Sequence, residues 1–203
     1  MALPRWKFAA LDVETTGLDC MAGHEIIEVA VVAFEPSGIG ERWSSLVKPS
    51  RPIDPESIRV HGIRDADVAG APSMAVVLPI VEEKTAGRVL VLHNAPFDLE
   101  FLTSACMRLD RLPVDRPLVD TLMISRRCFP DAQAHTLTEL ATRLGVAPER
   151  AHRALPDAVT TANVMLALCR RAEANGGFPL FEPELIRRVE AHPALRELAA
   201  GSA

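Results

Sequence analysis

Apolar positions come in short runs or alternate in the first part of the chain and fall at helical spacing later. Residues 7–13 (Lys-Phe-Ala-Ala-Leu-Asp-Val) and 25–34 (Glu-Ile-Ile-Glu-Val-Ala-Val-Val-Ala-Phe) are rich in apolar and β-branched residues. Residues 42–47 alternate loosely behind a turn marked by Pro36, Gly38 and Gly40. Three consecutive strands, arranged as a meander, are predicted there. A proline-rich stretch (Pro49, Pro52, Pro55) follows, and the period then changes. Ser73 is placed to cap a helix carrying Val76, Val77, Ile80 and Val81, with Pro79 expected to kink it, and residues 88–92 form a short apolar strand. Residues 97–109 predict a helix, and residues 117–119 a strand running into a helix over 121–128. Thr136 or Thr138 can cap a helix ending at Gly145, and residues 155–174 predict a long helix whose Pro156 falls in the first turn. Strands first and interleaved helices later indicate an α/β fold with a mixed sheet flanked by helices, rather than a doubly wound parallel sheet. Gly176 and Gly177 end the last core helix. One domain is therefore expected over residues 1–175, with residues 176–203 as a short tail carrying helices over 183–191 and 194–199.

Composition adds limits to this picture. With 203 residues, 48% of them apolar, the chain can bury one ordinary core. The N-terminus reaches Arg5 before any signal-like apolar stretch, and no later stretch approaches the roughly 18 apolar residues of a membrane span. A cytoplasmic protein without a membrane partner is expected. Cys20, Cys106, Cys128 and Cys169 are far apart and form no C-x-x-C pair, so they are read as buried free thiols. Twenty-seven acidic against 22 basic residues give a formal charge of −5, the wrong sign for gripping long duplex by counterion release. Contact with a nucleic-acid terminus needs few phosphate contacts, and bound divalent cations would offset an acidic pocket.

The candidate chemistry lies at element ends. Asp12 and Glu14, two apart at the end of the first strand, project from one face with Cα atoms roughly 7 Å apart. Two like charges so placed suit a hard divalent ion between them, although a lone D-x-E is more often two solvated acids. Thr15-Thr16-Gly17-Leu18 follows with small residues that let a substrate approach the backbone and an apolar side chain that could wedge against a base. His93-Asn94-Ala95-Pro96-Phe97-Asp98 places a third carboxylate at a helix start, where the helix dipole alone would also favour it. In His152-Arg153-Ala154-Leu155-Pro156-Asp157, an imidazole sits on the loop before a helix and a carboxylate in that helix's first turn. A loop histidine can move while the helical carboxylate stays fixed, a division that suits a general base beside a metal ligand.

In this order and at these spacings, the three segments resemble the exonuclease motifs of the DEDDh subgroup of the DnaQ-like 3′-5′ exonuclease superfamily, which includes the proofreading (epsilon) subunit of DNA polymerase III. The resemblance covers about residues 7–170 and takes in His61-Gly62-Ile63, Val119-Asp120-Thr121 and the 137–144 helix. The sister DEDDy enzymes use a tyrosine four residues before the last aspartate. This chain has no tyrosine, and His152 stands five before Asp157.

The resemblance implies a ribonuclease H-like fold with a five-stranded mixed sheet, and an enzyme that releases nucleoside 5′-monophosphates from the 3′ end of single-stranded or frayed DNA. It implies two divalent cations, magnesium first and manganese as a substitute. Asp12, Glu14 and Asp157 would hold the ion carrying the attacking water, while Asp12 would face the second ion, with Asp98 acting largely through water. His152 would take the water's proton, and the second ion would stabilise the departing 3′ oxygen. Thr15, Leu18, His61 and Phe97 would form the terminal-nucleotide pocket. An exoribonuclease or oligoribonuclease of the same superfamily shares every catalytic residue, and a non-catalytic protein-binding module is a third reading, opposed by five filled positions. A DNA polymerase is a candidate partner. Gln133 is the only glutamine, and little more than 25 residues follow Gly177, so a free-standing or loosely associated enzyme is favoured; the oligomeric state is open.

Overall fold

Strand β1 (Phe8–Thr15) lies inside a mixed sheet, and its neighbours explain where a site can form. The computed structural model describes residues 7–114, 116–149, 152–174 and 186–188. β1 pairs antiparallel along its length with β2 (Ile26–Glu35), which pairs antiparallel with β3 (Gly38–Leu46), giving the predicted meander. On its other side β1 runs parallel to β4 (Val89–Leu92), and β4 runs parallel to β5 (Pro117–Asp120). The β1–β4 register runs only from Phe8↔Val89 to Ala10↔Val91. From Asp12 onward β1 thus keeps β2 beside it but has outrun β4, and a crevice opens at the strand ends.

Alternation along β1 divides the core. Phe8 and Ala10 join Ala30, Val32 and Phe34 under the long helix α7 (Ala154–Ala174), where the Phe8 and Phe34 rings stack 5.0 Å apart. Ala9, Leu11 and Val13 face the opposite layer, formed by α3 (Met74–Thr85) and α4 (Ala95–Arg108). Asp12 and Glu14 continue the even-numbered series, so strand geometry turns both toward α7.

The helices follow the pattern with two additions. The proline-rich stretch holds α1 (Pro55–His61), with Pro55 in its first turn and Gly62 closing it at φ +77°, and the single turn α2 (Asp65–Val68). α3 is one helix through Pro79; α5 (Thr121–Cys128) and α6 (Leu137–Arg143) are close to their expected bounds. The tail expectation needs correction in part. Within the segment expected as a helix over 183–191, Ile186–Arg188 forms β6, antiparallel to β5. β5 would otherwise end the sheet with an unpaired row of N–H and C=O groups, a ready template for another strand. The five-stranded mixed sheet is thus present and extended by one short strand; the rest of the tail, including the helix expected over 194–199, lies outside the described residues. Among the described residues no helix is long and apolar enough to cross a membrane. None of the four cysteines forms a disulfide; three are buried and Cys128 is half-buried.

Candidate active site

Asp12 and Glu14, half-buried at the end of β1, meet Asp157 from the first turn of α7. One oxygen from each of these three carboxylates lies within 4.8 Å of the others. Burial, followed by repulsion from Asp98, Asp157 and Glu14, holds the Asp12 carboxyl well above the usual carboxylate range. Burial and then Asp157 push Glu14 up to about 8. Asp157 is also raised by burial, opposed by the N–H of His152. Oxygen-only donors that repel one another this strongly fit a hard divalent cation, which would relieve both burial and repulsion.

Asp98 reaches the same strand end from the other face. It is buried in the first turn of α4, and its Oδ1 accepts the Val13 N–H at 3.1 Å. Burial pushes its carboxyl up to about 8, opposed by the Val13 bond. Asp98 therefore lies beside the three-carboxylate group and not within it. Its helix start is fixed by Asp120, which accepts from the N–H groups of Asn94 and Ala95, each at 3.1 Å, and caps α5 through Leu122 N–H at 2.8 Å. Asn94 takes the left-handed conformation (φ +73°) that turns the chain from β4 into α4.

His152, expected on a movable loop, is hydrogen-bonded at its own backbone. Its side chain is exposed, but its N–H donates to Asp157 Oδ2 at 2.7 Å, and its φ is +64°. Behind it, Glu28 accepts from Arg153 Nε at 3.0 Å and Nη2 at 2.7 Å, and from Ala154 N–H at 3.0 Å. The backbone at 152–154 is therefore tied down. Glu28 and Arg153 went unnoticed in the sequence, where the signal was a lone charge within the apolar run of β2. A charge buried in a strand needs a partner.

The pocket residues are placed unevenly. Leu18 is 83% exposed on the loop after β1. Phe97 is half-buried against Phe101, ring centroids 5.1 Å apart, next to Asp98 in sequence. His61 is buried, its Nδ1 accepting from Ile63 N–H at 3.0 Å while its Nε2 makes no hydrogen bond of good geometry among the described residues. The proton must therefore sit on Nε2; burial lowers its pKa, opposed first by the Thr15 carbonyl and then by the charge of Glu28. The Thr15 hydroxyl is buried and donates to Gly17 O at 2.7 Å, so it closes the loop. Gly17, expected to admit a substrate, instead admits His24: a Cβ there would lie 2.2 Å from the imidazole. The Thr16 hydroxyl accepts from Glu25 N–H at 3.0 Å and is hydrogen-bonded to His24 Nδ1, also at 3.0 Å. That loop is held by packing from within.

Comparison with known proteins agrees with this architecture. A family model described as Exonuclease matches residues 9–165. A DNA polymerase III subunit epsilon-like protein of Rhodobacter capsulatus is 42% identical over 86% of this chain. A DNA polymerase III PolC-type protein of Thermotoga maritima is 33% identical over 93% of it. The chain spans only 25% and 14% of the lengths of these two relatives. Among solved structures, exonuclease X in complex with 5′ overhanging duplex DNA superposes with a TM-score of 0.67 at 25% identity, covering 88% of this chain and 96% of that one.

Proposed function

The chain belongs to the exonuclease family, and on that premise we propose that it removes nucleoside 5′-monophosphates from the 3′ end of DNA. The observation that carries this reading is the convergence of Asp12, Glu14 and Asp157 within 4.8 Å at a strand end that has outrun its neighbour. We assign these three carboxylates to one divalent ion and Asp12, with Asp98, to the side of a second. When bound, two such ions supply Lewis acidity to the attacking water and neutralise charge on the scissile phosphate. Asp12 is central because Glu14, Asp98 and Asp157 all act on it. His152 presents an exposed imidazole from a backbone anchored to Asp157, which suits it to take a proton from the attacking water.

Substrate contact falls to the neighbouring loop and helices. Leu18 would stack or wedge against the terminal base, Phe97 would support the adjacent sugar or base, and Thr15 would contribute its backbone. His61 Nε2–H is a buried donor that makes no hydrogen bond of good geometry among the described residues, available to a polar atom of the terminal nucleotide. The formal charge of −5 suits a grip confined to a few nucleotides. DNA is preferred over RNA because the superposed exonuclease X structure holds DNA, and a DNA polymerase is the candidate protein partner because the relatives carry polymerase III names.

The test is digestion, with Mg²⁺ or Mn²⁺, of labelled single-stranded DNA, mismatched duplex and short RNA. Stepwise loss of 5′-monophosphates from DNA 3′ ends is expected. Preference for short RNA over every DNA substrate would replace the DNA reading, and no hydrolysis of any of them would leave a binding module.

A further inference from the structure

Glu28 has no part in the chemistry proposed above, yet it is 5% exposed on the same sheet face, directly across β2 from Glu14 (Glu14↔Glu28). Two carboxylates side by side on adjacent strands are destabilising unless one is engaged elsewhere. Glu28 is engaged by α7. Its two oxygens take the Arg153 guanidinium in a two-point fork at 3.0 and 2.7 Å, and one of them also takes the Ala154 N–H at 3.0 Å. On the other side of the same turn, Asp157 takes the His152 N–H at 2.7 Å.

Between these two anchors lies a residue in a costly conformation. His152 has φ +64°, in the left-handed region that non-glycine residues enter rarely and at an energetic cost. Such a conformation persists when the surroundings over-determine it, and here the backbone N–H groups of His152 and Ala154, with the Arg153 side chain between them, are held by two acids from different elements. A planar guanidinium meeting a carboxylate at two points fixes direction as well as distance, which a lysine would not.

We infer that Glu28 is a positioning residue for His152: through Arg153 and Ala154 it holds the left-handed turn from which the imidazole is presented. This rests on the reading of His152 as the proton acceptor. A purely structural Glu28 would cap α7 in the same way, but its removal would then lower stability without acting through His152.

The experiment is a double-mutant cycle with two readouts. Glu28→Gln and Arg153→Lys are made singly and each in a His152→Asn background; asparagine tolerates the left-handed conformation and cannot serve as the base. Arg153 is partly exposed and Arg153→Lys keeps its charge, so that variant covers a failure of Glu28→Gln to fold. Each single variant is expected to lower kcat on single-stranded DNA about 10- to 100-fold, the scale of an ångström-level misplacement, with KM within about twofold. In the His152→Asn background the same substitutions should change the residual kcat by less than about twofold. In the metal-free protein, amide hydrogen exchange at residue 152 should accelerate about tenfold or more in each single variant. A full kcat loss that persists in the His152→Asn background, or an unchanged exchange rate at residue 152, overturns the inference. Wild-type activity in His152→Asn alone would instead overturn the reading of His152 on which it rests.

Discussion

The first turns of α7 and α4 each bring an aspartate to the end of β1, but from opposite faces of the sheet and with different obligations. Asp157 is half-buried, shares the three-carboxylate group with Asp12 and Glu14, and holds His152 by its N–H. Asp98 is buried, stands outside that group, and takes the Val13 N–H. The strand edge explains the difference. β4 pairs with β1 only as far as Ala10, so the Val13 N–H faces the space β4 has vacated and needs an acceptor. Asp98 completes the sheet, whereas Asp157 joins the carboxylate group and holds the turn in front of it.

The sharpest way to break that comparison is to neutralise each aspartate in turn. Asp157→Asn should lower kcat on single-stranded DNA by about 1,000-fold, the scale of losing several kcal/mol of metal-borne stabilisation. Asp98→Asn keeps an amide oxygen for Val13 N–H and should cost about 100-fold or less, with melting temperature little changed. Steady-state kinetics on both variants, with the larger loss at Asp98, would reverse the assignment.

Next in size is the response of the metal-free protein to pH. Glu14 and Asp98 are each pushed up to about 8, whereas in the unfolded chain such groups titrate near 4. Between those values the folded state keeps protons that the unfolded chain has released. The stability they contribute is therefore fully present below about pH 4 and lost as pH rises through about 8. The melting temperature without metal should fall between pH 6 and 8.5, on the order of 5 °C, and saturating Mg²⁺ should flatten the slope. A melting temperature that rises over this range without metal would show that the cluster is not the dominant titrating unit.

A smaller effect separates the two helix starts by their supports. Asp120→Ala leaves the N–H groups of Asn94, Ala95 and Leu122 without their acceptor and should cost about 2 kcal/mol in urea unfolding. Activity should also fall, because α4 carries Asp98. The smallest change is Leu18→Ala. At 83% exposure it should leave stability within about 0.5 kcal/mol while raising KM a few-fold; an unchanged KM would remove Leu18 from the substrate contacts.

Much of the framework was legible because it depends on short periods. Two-residue alternation placed Asp12 and Glu14 on one face, and apolar spacing located five strands and the α7 helix within a few residues. Less legible were features made by contacts between distant segments. Gly17 looks like a residue that admits substrate, and only the folded loop shows the His24 ring occupying the space a Cβ would need. The turn before α7 is held locally by Asp157, but its second anchor, Glu28, lies on β2, where no local pattern points to it. β6 escaped notice because three residues give no readable period, and the open edge of β5 selects them.

By itself, the sequence determined which residue types stand at strand ends and helix starts, and that a histidine, in a chain without tyrosine, stands five residues before Asp157. Only the tertiary structure decided what each charge does. Glu28 and Arg153 are 125 residues apart, and nothing local distinguishes Glu28 from Glu14 or Asp98 from Asp157. Periodicity is a property of neighbours along the chain, but a buried charge takes its partner from whichever element packs beside it.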